Sequence, residues 1–437
     1  MLGLPTTATA PFCPSEVRGT VAVPRGLPFW RKVLRFAGPG LLVSVGYMDP
    51  GNWATDIEAG SRYGNTLLFV VVLASLSGIL LQTLCARLGI VAERDLARLC
   101  REQFRPPVVT ALWLFAELAI VACDVAEVLG SALALQLLLG LPLWAGVILT
   151  GFDTLLVLGL KGRGFRDLEA IVLGLVATIG IAFAIQLVIL SPDPLAIAKG
   201  LIPSTQVLSD PEALYLAVGI IGATVMPHNL YLHSSIVQTR LVSNSPPAKR
   251  EAIALATADI ASALLLALLV NAAILITAAS AFHHPGMTAV TDIDEAYRLL
   301  QPVAGAGAAI LFGIALLASG QSSTFTGTVA GQTILEGFLD LEIPCWQRRL
   351  ITRALALGPA LVGVLWFGEG SVGRMLVLTQ VVLTAQLPFA IYPLIRFTGD
   401  RALMGRFANG AVLQACAWII FVVVSAANIW LVWGAIV

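Results

Sequence analysis

Asp49-Pro50-Gly51-Asn52 and Met226-Pro227-His228-Asn229 are the two stretches that decide the fold. The first interrupts the apolar run from Phe36 to Ala59, the second the run from Ala213 to Val237. Both have the form x-Pro-x-Asn. Proline lacks a backbone donor and clashes with the preceding turn, so each segment should unwind there. Unwound backbone at membrane depth is tolerated only where it is buried in protein or lines a cavity. Two broken helices in matching places point to a transporter binding site near the membrane midplane. The break residues offer a carboxylate, an amide and a thioether, an unusual trio in an apolar setting.

The surrounding chain is that of an integral membrane protein. Of its 437 residues, 58% are hydrophobic and 12% charged, and the mean hydropathy is +0.88. A soluble domain carries roughly twice that charged fraction. A spanning helix needs about 20 mostly apolar residues. Eleven stretches qualify: 36–60, 65–91, 107–136, 141–160, 168–190, 212–240, 253–281, 303–325, 349–367, 373–397 and 410–435. If the N-terminus is cytoplasmic, all but four of the 26 Lys and Arg fall on its side. The exceptions are Arg62, Lys199, Arg298 and Arg374. The positive-inside rule then places the N-terminus in the cytoplasm and, after eleven crossings, the C-terminus outside. The expected location is the inner (plasma) membrane.

The first 28 residues lack a basic start followed by an apolar core, so they read as a mobile tail rather than a signal peptide. The six cysteines include no CxxC pair, and none falls in an outside loop, which argues against a disulfide framework or zinc site. We expect a tail at 1–35 and a transporter core at 36–397, with halves at 36–190 and 212–397. An eleventh-helix region follows at 398–437. The same interval separates Pro50 from Pro227 and Asn52 from Asn229. Five helices per half would invert one half relative to the other.

A carboxylate at mid-membrane costs about 2.5–3.5 kcal/mol on insertion scales and needs a cation, a proton or a partner. No Lys or Arg shares the core of its helix with Asp49, which favours a mobile cation. Alternatively Asp49 caps the second half-helix through free backbone amides; both roles are compatible. Asn52 offers a carbonyl oxygen one turn away, or satisfies the backbone at the break. Met226 is either a core filler or a soft donor facing the cavity. A thioether disfavours calcium and magnesium, which take all-oxygen shells, and suits manganese, ferrous iron, cobalt and cadmium.

The chain resembles the Nramp family of divalent metal transporters, in particular its bacterial proton-coupled manganese transporters. The resemblance rests on Gly46-Tyr-Met-Asp-Pro-Gly-Asn52 and on Gly222-Ala-Thr-Val-Met-Pro-His-Asn-Leu-Tyr-Leu-His233. Gly320-Gln-Ser-Ser-Thr-Phe-Thr-Gly-Thr-Val-Ala-Gly-Gln332 and Gln380-Val-Val-Leu-Thr-Ala-Gln-Leu-Pro388 extend it. It covers roughly 30–397. It implies an all-α membrane protein of LeuT-type fold with a 5+5 inverted repeat, helices 1 and 6 broken, and alternating access. The implied cargo is Mn²⁺ with Fe²⁺, imported with protons across the bilayer. Neither a resident cofactor, a nucleic acid nor an obligate protein partner is expected. The resemblance places the metal among Asp49, Asn52 and Met226. It adds the carbonyl of Ala223 in one conformation and Gln380 in the occluded state. Relatives that carry magnesium or aluminium lack the methionine.

A proton route needs titratable groups leading away from Asp49. Glu117, Asp124 and Glu127 fall near one face of the third helix. Three buried carboxylates there cannot all stay ionised without protons or a cationic partner. Arg353 is the candidate partner, and the resemblance supports an ion network between helices 3 and 9. A static network that only holds the third helix in place is the other reading. Histidine titrates near neutral pH, so His228, beside the break, reads as a gate or relay. His233 is equally suited to packing. His283 and His284, in an outside loop near Asp292, Asp294 and Glu295, read as solvated. The Gly-rich stretch 320–337 lacks GxxxxGK[ST] and reads as a tight connection or hinge after helix 8.

Three rivals remain. A sodium-coupled amino-acid transporter of the same architecture would leave the first break free of carboxylate, to bind a substrate carboxylate. A channel would need rings of like residues from several subunits. A membrane enzyme would need a nucleophile–base pair or a His-rich cluster, and the sequence offers neither.

Overall fold

The computed structural model describes residues 18–22, 26–152, 165–283, 290, 292–340, 345–368 and 372–436. The helices are α1 (Phe29–Phe36), α2 (Pro39–Val45), α3 (Pro50–Tyr63), α4 (Leu68–Ala92), α5 (Leu96–Gln103), α6 (Pro106–Leu139), α7 (Leu143–Thr150) and α8 (Phe165–Leu190). The second part of the chain gives α9 (Pro211–Thr224), α10 (Pro227–Ile236), α11 (Pro246–Ala278), α12 (Ile293–Ala304), α13 (Ala306–Leu339), α14 (Cys345–Phe367), α15 (Val372–Gly399) and α16 (Ala411–Ile436). Among the described residues, eight helices are long and apolar enough to cross a membrane. The other three expected spans have identifiable fates. The first is divided into α2 and α3 by its break. The fourth is described only as far as Phe152, and Lys161 and Arg163 lie outside the described residues. The ninth keeps a shorter apolar stretch, Leu350–Trp366.

The break prolines do more than interrupt. Each occupies the first position of the second half-helix, where its missing N–H costs nothing and its fixed φ suits the helix. Asp49 (φ −70°, ψ 167°) and Met226 (φ −75°, ψ 127°) are the extended residues before them. Between α2 and Asp49 the chain forms a 3₁₀ turn, Gly46–Met48. The final helix is tied to the core where Asn428 Nδ2 donates to the Thr384 carbonyl of α15 at 2.7 Å.

Three expectations need correction. The stretch 320–337 is no hinge: it lies within the continuous helix α13. Its hydroxyls bond back into the helix, as in Ser323 to the Ser319 carbonyl (2.9 Å) and Thr324 to the Gly320 carbonyl (2.9 Å). Its glycines instead admit close neighbours. A Cβ at Gly320 would strike Ser131 of α6, and one at Gly337 would strike Ala97 and Asp95.

The tail is not wholly mobile. β1 (Val21–Ala22) pairs in parallel with β2 (Arg240–Leu241), which follows α10, and Gly19 N donates to the Gln238 carbonyl at 3.0 Å. Residues 1–17 and 23–25 lie outside the described residues, Cys13 and Arg25 among them.

His283 is docked rather than solvated. It ends a π-turn, its Nδ1 is 2.9 Å from the Ser61 carbonyl, and its ring packs on Gly64. His284 lies outside the described residues. Nearby Asp292 accepts from Gly373 N at 2.9 Å.

Candidate metal site between the broken helices

The two breaks face each other. Asp49 caps α3, with Oδ1 accepting from Asn52 N at 2.9 Å. Asn52 Nδ2 then donates to Asp49 Oδ1 (2.6 Å), to the Ala223 carbonyl (2.9 Å) and to the Gly46 carbonyl (3.4 Å). All three partners are acceptors, so the amide nitrogen must be the atom facing them. Three oxygens from both breaks therefore converge on one point. Asp49 Oδ2 has no hydrogen-bond partner among the described residues. A carboxylate with a free oxygen in an apolar bundle is a strong attraction for a cation.

Met226 closes the second break, in an apolar cluster with Ala119, Cys123 and Leu383. Gln380 of α15 is fully buried, and its amide presses on Gly51 so closely that a Cβ there would coincide with it. Its Oε1 is unbonded among the described residues. Asp49, Asn52, Ala223, Met226 and Gln380 are each at most 1% exposed, so the site is closed to both sides. Among the described residues no group of three His, Cys, Asp or Glu side chains could hold a metal. Any ion here must rely on amide, carbonyl and thioether donors beside the single carboxylate.

The break backbone is satisfied from outside its own helix, which matters because an unpaired backbone group in lipid costs several kcal/mol. Asn271 Nδ2 of α11 donates to the Tyr47 carbonyl at 2.7 Å. Ser319 Oγ of α13 (2.5 Å) and Trp53 Nε1 (3.2 Å) both donate to the Met48 carbonyl. Sequence reasoning missed these residues. The available signal was a lone amide inside the apolar run 253–281.

The expected proton groups separate into two sets. Asp124 and Glu127 are buried together on α6, where both carboxylates face Gly327 of α13. Asp124, Arg353 and Asp49 lie within electrostatic reach of Glu127. Arg353 also donates Nη2 to the Thr150 carbonyl of α7 at 3.0 Å. Glu117 departs from the expected buried trio. It is only half-buried and accepts from Trp113 Nε1 at 3.2 Å, because its turn of α6 approaches the lipid-facing surface marked by exposed Leu114, Phe115 and Leu118.

His228 Nε2 lies 3.7 Å from Cys123 Sγ, and that thiol donates to Glu127 Oε1 at 3.5 Å. Cys123, unmarked in the sequence, thus joins the second break to the α6 carboxylates. His233 Nδ1 is 3.0 Å from Gln82 Oε1, and Gln82 Nε2 donates to the Tyr47 hydroxyl at 3.2 Å.

Polar pins close both ends. At one, Arg62 of α3 pairs with Glu212 of α9 at 2.6 Å, and the Tyr63 hydroxyl donates to Asp210 Oδ2 at 3.0 Å. At the other, Arg240 donates to the Phe36 and Ala37 carbonyls and pairs with Glu169, each at 2.8 Å. Asp259 of α11 caps α2 by accepting from Gly40 N at 2.8 Å. Gly38 (φ +144°) is needed there, since a Cβ would run into Glu169 and Arg240.

A family model described as Nramp, natural resistance-associated macrophage protein-like, matches residues 40–434. The chain is 66% identical over 431 residues to a divalent metal cation transporter, MntH, of Ralstonia nicotianae, covering 98% of each. Its structure superposes on a crystal structure of a variant of the Eremococcus coleocola manganese transporter with a TM-score of 0.90. That match has 38% identity and covers 95% of this chain and 90% of that one. Mhp1, a nucleobase–cation symporter, shares the fold at a TM-score of 0.62 and 14% identity, covering 98% of this chain and 94% of its own.

Proposed function

The chain belongs to the Nramp family, and from that membership we propose that it imports Mn²⁺, with Fe²⁺ as a second substrate, in symport with protons. It is a multi-pass membrane transporter of divalent metal cations with the LeuT-type fold, and not an enzyme. In our reading the membrane is the inner (plasma) membrane, the N-terminus is cytoplasmic and the C-terminus extracytoplasmic. The halves are 36–190 and 212–397, and 398–437 adds the eleventh helix. No resident cofactor is involved, because the metal is cargo.

The observation that carries this reading is the convergence of Asp49 Oδ1, the Ala223 carbonyl and the Gly46 carbonyl on the Asn52 amide nitrogen. A donor sits where positive charge is wanted. When a cation takes that place, the Asn52 amide turns to present its oxygen. Met226 adds a soft donor, and Gln380 completes the enclosure with its free Oε1. Asp49 is also the first proton acceptor. His228, Cys123, Glu127, Asp124 and Arg353 lead protons away from it, with His233 and half-buried Glu117 at the margins. Alternating access follows if the Arg62–Glu212 pin and the Arg240–Glu169 pin release in turn. An amino-acid substrate is disfavoured, since Asp49 would repel its carboxylate.

Metal-quenched fluorescence in liposomes carrying the purified chain tests this. Mn²⁺ entry should accelerate under an inwardly directed proton gradient and disappear in Asp49→Ala. Near-normal uptake by that variant, or indifference to the gradient, would refute the reading.

A further inference from the structure

Asn229 lies three residues beyond Met226 on α10, and Gly46 three residues before Asp49. The two touch: a Cβ built on Gly46 would coincide with the Asn229 amide. Asn229 is fully buried, and neither its Oδ1 nor its Nδ2 has a hydrogen-bond partner among the described residues. A second amide approaches the same turn from α11, where Asn271 Nδ2 donates to the Tyr47 carbonyl. A carbonyl only accepts, so the nitrogen faces it and the unbonded Asn271 atom is Oδ1. Two buried amides with unbonded oxygens therefore flank Gly46–Tyr47, one turn from the metal ligands on the side from which α2 arrives.

Buried polar groups are almost always paired, and an orphan calls for an explanation. Packing supplies none, because an apolar side chain of equal volume would fill the space without the desolvation penalty. Neutral amide oxygens can replace hydration water around a divalent cation while adding no charge. Such a site binds weakly enough to let the ion leave, as conduction through successive sites requires. It also contains no sulfur, so it would leave selection to Met226.

We propose that Asn229 and Asn271 form a second, weaker subsite that receives the partly hydrated divalent cation as it passes between Asp49 and the α2 end of the molecule. The inference rests on the reading of Asp49, Asn52 and Met226 as the metal site.

Calorimetric Mn²⁺ binding to the full chain in detergent, paired with initial Mn²⁺ uptake in liposomes, tests it. Asn229→Ala should lower the maximal uptake rate by about tenfold while leaving binding within about twofold of the parent, the pattern of an interaction made after substrate is bound. Asn229→Asp should tighten binding or add a second bound Mn²⁺, and also slow uptake, because the added charge traps the ion. Asn229→Ser keeps an oxygen with little bulk and should transport faster than the alanine variant, which guards against a mere failure of that variant to fold. An alanine variant with parental uptake would overturn the subsite. So would parallel loss of binding and uptake in all three variants, which would make Asn229 a support for the central site. A parent that neither binds nor carries Mn²⁺ would instead sink the metal-site reading itself.

Discussion

In the proposed site Met226 and Asp49 would divide the work of recognition between softness and charge. Asp49 would attract any cation, which leaves discrimination to the thioether, a donor from which a hard ion gains nothing. Met226→Ala should therefore keep Mn²⁺ transport and weaken the exclusion of Ca²⁺. Radiotracer Ca²⁺ uptake in proteoliposomes measures this, and unchanged rejection of Ca²⁺ would refute the division. Asp49 was legible in the sequence because a carboxylate beside a proline stands out in an apolar run, and Met226 only by its place directly before the second proline. Cys123 was not, since a thiol among Ala and Val carries no polar signal. Only the fold brings its Sγ within 3.7 Å of His228 and 3.5 Å of Glu127.

At the scale of elements, the first break survives because side chains around it bond its carbonyls. The Met48 carbonyl has two side-chain donors, Ser319 and Trp53, whereas the Tyr47 carbonyl has Asn271. Where a carbonyl has one side-chain donor among the described residues, removing it leaves a buried acceptor at a cost of about 1–3 kcal/mol, against roughly 0.5–1.5 kcal/mol where a second donor remains. Asn271→Ala should accordingly lower the thermal unfolding temperature more than Ser319→Ala; the reverse order would contradict this assignment of donors. The breaks and long helices were readable from proline position and hydropathy. The true course of 320–337 was not, because Gly, Ser and Thr signal a loop in water. Between packed helices the same residues give close approach and back-bonded hydroxyls. The docking of 18–22 on β2 was equally hidden, since two residues of parallel ladder leave no periodicity to detect.

For the whole molecule, burial of the site under pins at both ends is the arrangement expected midway through transport. Arg240 is fully buried among backbone carbonyls and Glu169. Arg240→Ala would remove the bonds to the Phe36 and Ala37 carbonyls and leave Glu169 paired with Arg166 alone, which loosens the α1–α2 junction. Modification of a cysteine placed at Ala223 should then quicken, as read by thiol labelling; an unaltered rate would argue against the pin. The opposite pin sets a limit on pH dependence. The Tyr63 hydroxyl bond holds the Asp210 carboxyl below its usual range. A lowered folded value means the contact persists above the ordinary carboxylate pKa and weakens only as pH falls through that lowered value. Mild acid should therefore leave it intact, and, on the proposed proton coupling, Asp210→Asn should not move the pH at which Mn²⁺ uptake peaks. A displaced peak would assign proton sensing to this pin instead of to Asp49.

The claim on which the rest depends is that one divalent cation sits between the two breaks. Anomalous scattering at the manganese edge from crystals grown with Mn²⁺ tests it most directly. The expected result is a peak bounded by Asp49, Asn52, the Ala223 carbonyl and Met226, absent in Asp49→Ala. A principal peak elsewhere, or one that survives loss of the Asp49 carboxylate, would contradict it.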